Sequence, residues 1–316
     1  MKSQRNQPDR HRPVSYRRSP GSTLLHFSYS FFSLLWLLVP VWLTPSCNGN
    51  MGPDLHPGDE VFVQPDSCLY SVVLVEQDNS SDTTRRVRRL DLFVYDADGL
   101  HSLLLQRQYG FLPDSVVLYG PATGVTVVAV ANSPRDFNAG ALERYDSIEL
   151  LRYDYLEDSP AQPIMGGQCN VTDGARATLV LSPLLCRVAL GEVSNELQGY
   201  TRLEDPRVYL ENMNASAELL RTVGFLPTET VPDPPRVKLP YDIGIFTQSP
   251  GSELFCYPND SAQATIGSPS TALVFECEIK GATRQFRVPL PGLKRNTTTH
   301  VDISITVLGD LEYNVY

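Results

Sequence analysis

Tryptophan is almost missing from this 316-residue chain. Its two tryptophans, Trp36 and Trp42, both lie in an apolar run near the N-terminus, so the rest of the chain has none. That removes the flat exposed ring on which sugars usually stack. Histidine is also scarce, at five residues, and no pair has metal-ligand spacing. Two of the five, His11 and His26, lie in the N-terminal leader, His56 lies just after it, and His101 and His300 fall on or near strand-like segments. There is no C-x-x-C pair, no G-x-S-x-G nucleophile turn, no phosphate loop and no dinucleotide fingerprint. These absences predict a protein without catalysis, cofactor or metal. Positive charge is in deficit too, with 26 basic against 36 acidic residues. Nucleic-acid affinity depends on Lys and Arg neutralising phosphates, so nucleic acid is excluded as a partner.

The N-terminus is the exception to this charge balance. Lys2, Arg5, Arg10, Arg12, Arg17 and Arg18 face a single acid, Asp9, and Leu24–Leu43 follows as an apolar run. A basic leader before an apolar run has the asymmetry of an export signal. The run closes on Thr44-Pro45-Ser46-Cys47, which resembles a bacterial lipoprotein signal. In such signals the chain is cut before the cysteine and the new N-terminus is acylated, with palmitate among the lipids. The alternative is an uncleaved transmembrane anchor with Cys47 an ordinary thiol. Both readings export and tether the remaining chain. Setting residues 1–46 aside leaves 20 basic and 35 acidic residues, a net charge of −15, so the lipid would have to do the tethering.

Twenty of the 25 prolines lie beyond residue 46 and leave little room for long helices. Residues 47–66 read as a flexible tether. Strand-like runs follow at Leu69–Val75, Val87–Tyr95, Leu103–Tyr109, Gly124–Ala131, Ala177–Val193, Thr271–Lys280, Thr283–Leu290 and Thr299–Leu308. The 177–193 run is one strand or two, broken at Pro183. Gly124–Ala131 is apolar almost throughout, as suits a strand covered on both faces. Asp96-Ala97-Asp98-Gly99 lies between two runs and reads as a hairpin turn rather than a calcium loop, because Val94 and Leu105 stand where a calcium loop needs acids. Ala139–Tyr155 has helical spacing and is the expected helix. The fold class is therefore all-β: two tandem antiparallel β-sandwiches with a short helix, an N-terminal one over 67–175 and a C-terminal one over 176–316.

Six cysteines suit an oxidising compartment. With Cys47 acylated, Cys68, Cys169, Cys186, Cys256 and Cys277 remain, an odd number. Cys256 could pair with Cys277 and Cys169 with Cys186, although spacing establishes neither. The basic cluster Arg85–Arg89 is either a site for an Arg-specific maturation protease or, more simply, the salt-bridged lead-in to a strand. Five Asn-x-Ser/Thr sequons, at Asn79, Asn170, Asn214, Asn259 and Asn296, read as incidental in a chain with a bacterial signal.

Several of these segments together resemble one family. Cys47, the short tether and Asp66-Ser67-Cys68 are followed by Leu90–Gly99, close to an "FVFDxDG" pattern. Val127–Asn132, Pro163-Ile164-Met165-Gly166-Gly167, Leu185-Cys186-Arg187-Val188-Ala189, Tyr257-Pro258-Asn259 and Arg295-Asn296-Thr297 come next, in order. The set resembles the FimB-type and minor-fimbrium (Mfa) anchor and accessory proteins of Bacteroidales, lipid-anchored relatives of the fimbrillins. The resemblance implies two transthyretin-like sandwiches and a cell-surface, outer-membrane location through lipid on Cys47. It also implies partnership with fimbrillin subunits by strand addition. The chain stops at Tyr316, eight residues past Leu308, which suits an anchor better than a polymerising shaft subunit. The rival reading is a glycan- or host-binding surface lipoprotein with no role in polymer assembly.

Overall fold

The computed structural model describes residues 67–77, 87–172, 175–261 and 268–316. The signal segment 1–46, the tether 47–66 with Cys47 and His56, Asn79, and Arg85 and Arg86 lie outside the described residues.

The first half of the chain runs β1 (Ser67–Glu76), β2 (Leu90–Asp96), β3 (Leu103–Tyr109), β4 (Ser115–Pro121) and β5 (Val125–Ala131), then α1 (Tyr145–Glu149), β6 (Arg152–Asp154), β7 (Met165–Val171) and β8 (Arg176–Pro183). Seven of these strands form one sheet in the order β3-β2-β5-β7-β8-β1-β4. It folds over at the β7–β8 junction, where only Met165↔Pro183 and Gly166↔Ser182 pair. The glycines are required at this corner. A Cβ on Gly167 would sit 2.1 Å from the Val180 carbonyl oxygen, and one on Gly166 would lie 2.9 Å from that of Leu219.

Strand alternation then builds the core. Tyr70, Val72 and Leu74 of β1, Val116 and Leu118 of β4, and Leu179 and Leu181 of β8 all point inward. They meet Leu90, Leu92 and Val94 of β2 and Val125, Val127 and Ala129 of β5. The opposite faces of β2 and β5 are buried as well. Phe93, Tyr95, Val128 and Val130 pack on Ile148, Tyr153, Ile164, Leu219, Phe225 and Tyr257. Full burial of each such side chain is worth about 1.5–3 kcal/mol. The two-sided apolar run expected at Gly124–Ala131 is therefore found.

The second half contains β9 (Cys186–Asn195), β10 (Glu204–Glu211), β11 (Ser216–Glu218), β12 (Val237–Lys238), β13 (Ser252–Cys256), β14 (Ala272–Ile279), β15 (Ala282–Pro289), β16 (Thr298–Ile305) and β17 (Leu311–Val315). A sheet β12-β10-β14-β15 faces a sheet β13-β9-β16-β17. Val188, Leu190, Val208, Leu210, Phe275, Val301 and Ile303 lie among the side chains between them. The all-β class with a short helix holds, and the 177–193 run is two strands separated after Pro183.

Three expectations change. β8 pairs with β1 in parallel, from Ser71↔Arg176 to Glu76↔Leu181, so the break placed between 175 and 176 falls inside the first sheet's territory. The second sandwich begins with β9. The described residues, 67 onward, form one compact unit, because the third core joins first-half strands to Phe225 and Tyr257 of the second half. The helix expected over Ala139–Tyr155 is broken into a 3-10 turn (Ala139–Leu142), α1 and β6. Arg144 is extended (φ −118°, ψ 143°), and β6 is drawn into pairing with β11. The residues after Leu308 form the terminal strand β17, antiparallel to β16.

One side chain ties the halves together. Arg295 precedes β16, and its guanidinium donates to five carbonyls. Nε reaches Pro183 (3.0 Å), Nη1 reaches Leu219 (2.6 Å) and Arg221 (3.2 Å), and Nη2 reaches Gly166 (2.9 Å) and Ser182 (2.5 Å). All five N–H donors of the fork are used. Burial pulls the Arg295 pKa down to about 10, against the pull of the Asp158 carboxylate.

Candidate functional site: an open strand edge

A sheet edge presents unpaired backbone N–H and C=O groups, and proteins ordinarily blunt such edges with charge, proline, shortness or a covering segment. Most edges of this fold are blunted. The open side of β3 is covered by the 137–145 segment, with Leu103 N–H donating to Glu143 O (2.8 Å) and Gln106 to Phe137 O (3.3 Å). β15 carries exposed Arg284 and Arg287, β12 is two residues long, β13 carries Glu253 paired to Arg187 at 2.8 Å, and β17 carries Glu312.

β4 is different. Its sequence, SVVLYGP, has no charged residue and seven residues of length. It pairs with β1 from Ser67↔Pro121 to Val73↔Ser115 and has no strand on its outer side among the described residues. Among the described residues its C-terminal end is closed, where Pro121 O accepts from Gly124 N–H (3.1 Å) and from the Tyr70 hydroxyl.

The outward face beside this edge is apolar. Leu69 and Val75 of β1, Val117 and Tyr119 of β4, and Val180 of β8 are each between 40% and 52% exposed. Register makes them neighbours: Leu69 lies opposite Tyr119, and Val75 opposite Val180. Contiguous exposed apolar side chains mark interaction surfaces more often than single ones do. An incoming strand on β4 would thus gain main-chain hydrogen bonds and an apolar neighbour on alternate residues.

The other residues singled out from sequence are dispersed. Cys169 lies on β7 against the first core, while Cys186 lies in the second, so the suggested Cys169–Cys186 pairing is not formed. Cys256 stands opposite Cys186 on neighbouring strands rather than joined to Cys277, which lies on β14 opposite Arg284. All five described cysteines are free thiols. Burial pushes the Cys169 thiol up to about 11 and the Cys277 thiol up to about 12. Of the basic cluster, Arg89 pairs with buried Asp91 and with Asp136, both at 2.8 Å, and the Arg88 N–H donates to Asn132 Oδ1. That is the salt-bridged lead-in to a strand. Asp96 Oδ1 accepts the Asp98 N–H, so the Asp-Ala-Asp-Gly carboxylate serves the turn. Asn214 and Asn259 are buried and donate to Pro258 O and Pro269 O, which suits incidental sequons.

β4 itself escapes a reading of sequence, because Val116 to Tyr119 are apolar on both faces and show no alternation. Its one usable signal was the absence of any charge between Asp114 and Arg135.

Solved structures share this fold. A proposed cell adhesion protein from Parabacteroides distasonis aligns over 79% of this chain and 96% of its own, at 13% identity and a TM-score of 0.57. Another, from Bacteroides eggerthii, covers 80% and 96% at 12% identity and a TM-score of 0.56. A fimbrilin from Porphyromonas gingivalis covers 78% and 95% at 10% identity and a TM-score of 0.56. At such identities the likeness is one of fold. No protein-family model and no curated protein matches the chain.

Proposed function

We propose that this chain is a non-catalytic, lipid-anchored fimbrial anchor or accessory subunit at the cell surface, which binds a fimbrillin-type subunit by strand addition. The observation that carries the reading is the β4 edge, seven residues without charge beside an apolar face. Main-chain hydrogen bonds along β4 supply affinity, and the exposed Val117 and Tyr119 favour an apolar residue at alternate positions of the incoming strand. The shared fold with a fimbrilin and with proposed adhesion proteins supports the class of protein. The basic leader, the apolar run and Cys47 support export and tethering in the outer membrane.

The test is a pull-down of the tagged full chain from gently solubilised native membranes, resolved without heating. A co-purified fimbrillin that separates only on boiling is the expected result. Val117→Lys/Tyr119→Lys, which places charge on an exposed edge without touching the core, should abolish it. Recovery of the same complex by the double variant would refute the β4 assignment, and a lone band from the wild type would refute the assembly role. Separately, Cys47→Ala should release the protein from the membrane fraction, and its retention there would favour an uncleaved anchor.

A further inference from the structure

Cys186 and Cys256 are 70 positions apart in sequence, yet they are direct cross-strand partners at the ends of β9 and β13. Their sulfurs lie 3.3 Å apart, and the Cys186 thiol also donates to the Cys256 carbonyl at 3.2 Å. Both side chains are buried in the second core among Val188, Leu254 and Leu290. Directly opposed strand residues have Cα atoms about 4.5–5.5 Å apart, inside the range that a disulfide spans. Only about 1.2 Å separates the observed sulfur contact from bonding distance, within reach of small side-chain rotations. No other pair of described cysteines stands in register. Cys68 is opposite Gly120, Cys169 opposite Val127 and Cys277 opposite Arg284.

We propose that Cys186 and Cys256 are a disulfide site, closed when the chain folds in the presence of a disulfide oxidant such as glutathione disulfide or a dithiol oxidoreductase. One thiolate attacks the oxidant's disulfide, forms a mixed disulfide and expels one thiol. The second protein thiolate then displaces the other. The net exchange turns two cysteine thiols and one oxidant disulfide into the protein disulfide and two released thiols, with the two electrons and two protons passing to the oxidant.

The burial of the pair sets the timing. In the folded chain the partner thiol and the apolar surroundings hold Cys186 protonated, and a protonated thiol is a poor nucleophile. Closure therefore belongs to folding, while β13 is still docking on β9, and the finished bond is sheltered from reductants. Its structural effect is specific. β13 is a five-residue edge strand that follows a long proline-rich excursion, and β9 is an interior strand of the same sheet. The bond fastens that edge strand to an interior one and closes the excursion containing β10, β11 and β12.

The experiment begins with the full chain in detergent, unfolded under reduction and refolded in mixed reduced and oxidised glutathione. Remaining thiols are alkylated, and the protein is digested without reduction for mass spectrometry. The expected result is a linked Cys186–Cys256 peptide, with Cys68, Cys169 and Cys277 recovered unlinked to one another. Reduction should lower the melting temperature of the oxidised wild type by on the order of 10 °C. It should leave the Cys186→Ala/Cys256→Ala melting temperature unchanged. Recovery of Cys186 and Cys256 as alkylated thiols, or in links to other cysteines, would overturn the proposal. Because the oxidant is supplied in the buffer, such a failure would leave strand addition at β4 untouched.

Discussion

Replacing Arg295 with methionine keeps an unbranched apolar stem of similar reach and removes the guanidinium. The five carbonyls it serves come from Pro183, Leu219, Arg221, Gly166 and Ser182. A hydrogen bond from a charged donor contributes about 1.5 kcal/mol at the low end, so five give about 7 kcal/mol. Against this stands the cost of holding the cation away from water. The fall of its pKa from 12.5 to about 10 corresponds to about 3 kcal/mol. The difference, about 4 kcal/mol, is the expected loss of stability in Arg295→Met. For a folded unit of this size that lowers the melting temperature by on the order of 10 °C. Urea denaturation followed by circular dichroism, with tyrosine fluorescence as a second probe because both tryptophans lie in the N-terminal run, measures it directly. Arg295→Lys separates charge from geometry, because an ammonium keeps the charge but cannot direct five donors in one plane. Lysine should recover less than half of the loss. A methionine variant melting within about 2 °C of wild type would refute the view that this side chain holds the two halves together.

Other perturbations test other parts of the fold. Gly167→Ala places a Cβ 2.1 Å from the Val180 carbonyl and must push β8 away from β7, so it should cost more than about 3 kcal/mol or abolish soluble expression. Wild-type yield with an unchanged urea midpoint would show that the corner can relax. Burial raises the Asp158 pKa from 3.8 to about 6, opposed by the Ile164 and Ser159 N–H groups. A carboxyl raised on folding contributes stability that is complete below pH 3.8 and lost as pH climbs through 6. Asp158→Asn should therefore gain on wild type by up to about 3 kcal/mol between pH 4 and pH 7.5, and a difference that stays flat across that range would reject the assignment. Tyr153→Phe removes the hydroxyl that donates to Ser133 Oγ at 2.9 Å. A loss of about 1 kcal/mol is expected by chemical denaturation, and no measurable change would mean that the serine finds other partners.

Much of the strand content was legible because alternation and two-sided apolar runs are local signals. Val301, Ile303 and Ile305 face the second core as their spacing requires, and β2 and β5 are buried on both faces. The partners of each strand were not legible. Nothing in Ala177–Val193 says that its first half runs parallel to β1 while its second half joins another sheet, because that choice is settled by residues a hundred positions away. The helix misreading has the same root. Leu142, Ile148 and Leu151 do bury or half-bury one side, but the competing pairing of Arg152–Asp154 with Ser216–Glu218 wins over helical spacing. The cysteines were countable but not pairable, since the register that opposes Cys186 to Cys256 is set by β13 returning after 70 residues.

An edge is also the kind of site that leaves the least trace in sequence. A pocket requires particular side chains at particular places, whereas strand addition draws on backbone N–H and C=O groups that every residue but proline supplies in full. Its demands on β4 are negative ones: no charge and, among the described residues, no covering segment, with the one proline, Pro121, at the very end of the paired run opposite Ser67. Many sequences meet those demands, so such an edge constrains sequence very little. What such a site cannot tolerate is a residue that blunts the edge. Ser115–Tyr119 contains none, although four of the other sheet edges carry charge or are covered. Selection against edge-to-edge association would favour a lysine or glutamate at the half-exposed Val117, even at some cost in strand propensity. Its absence is the feature that the proposed strand-addition role would account for.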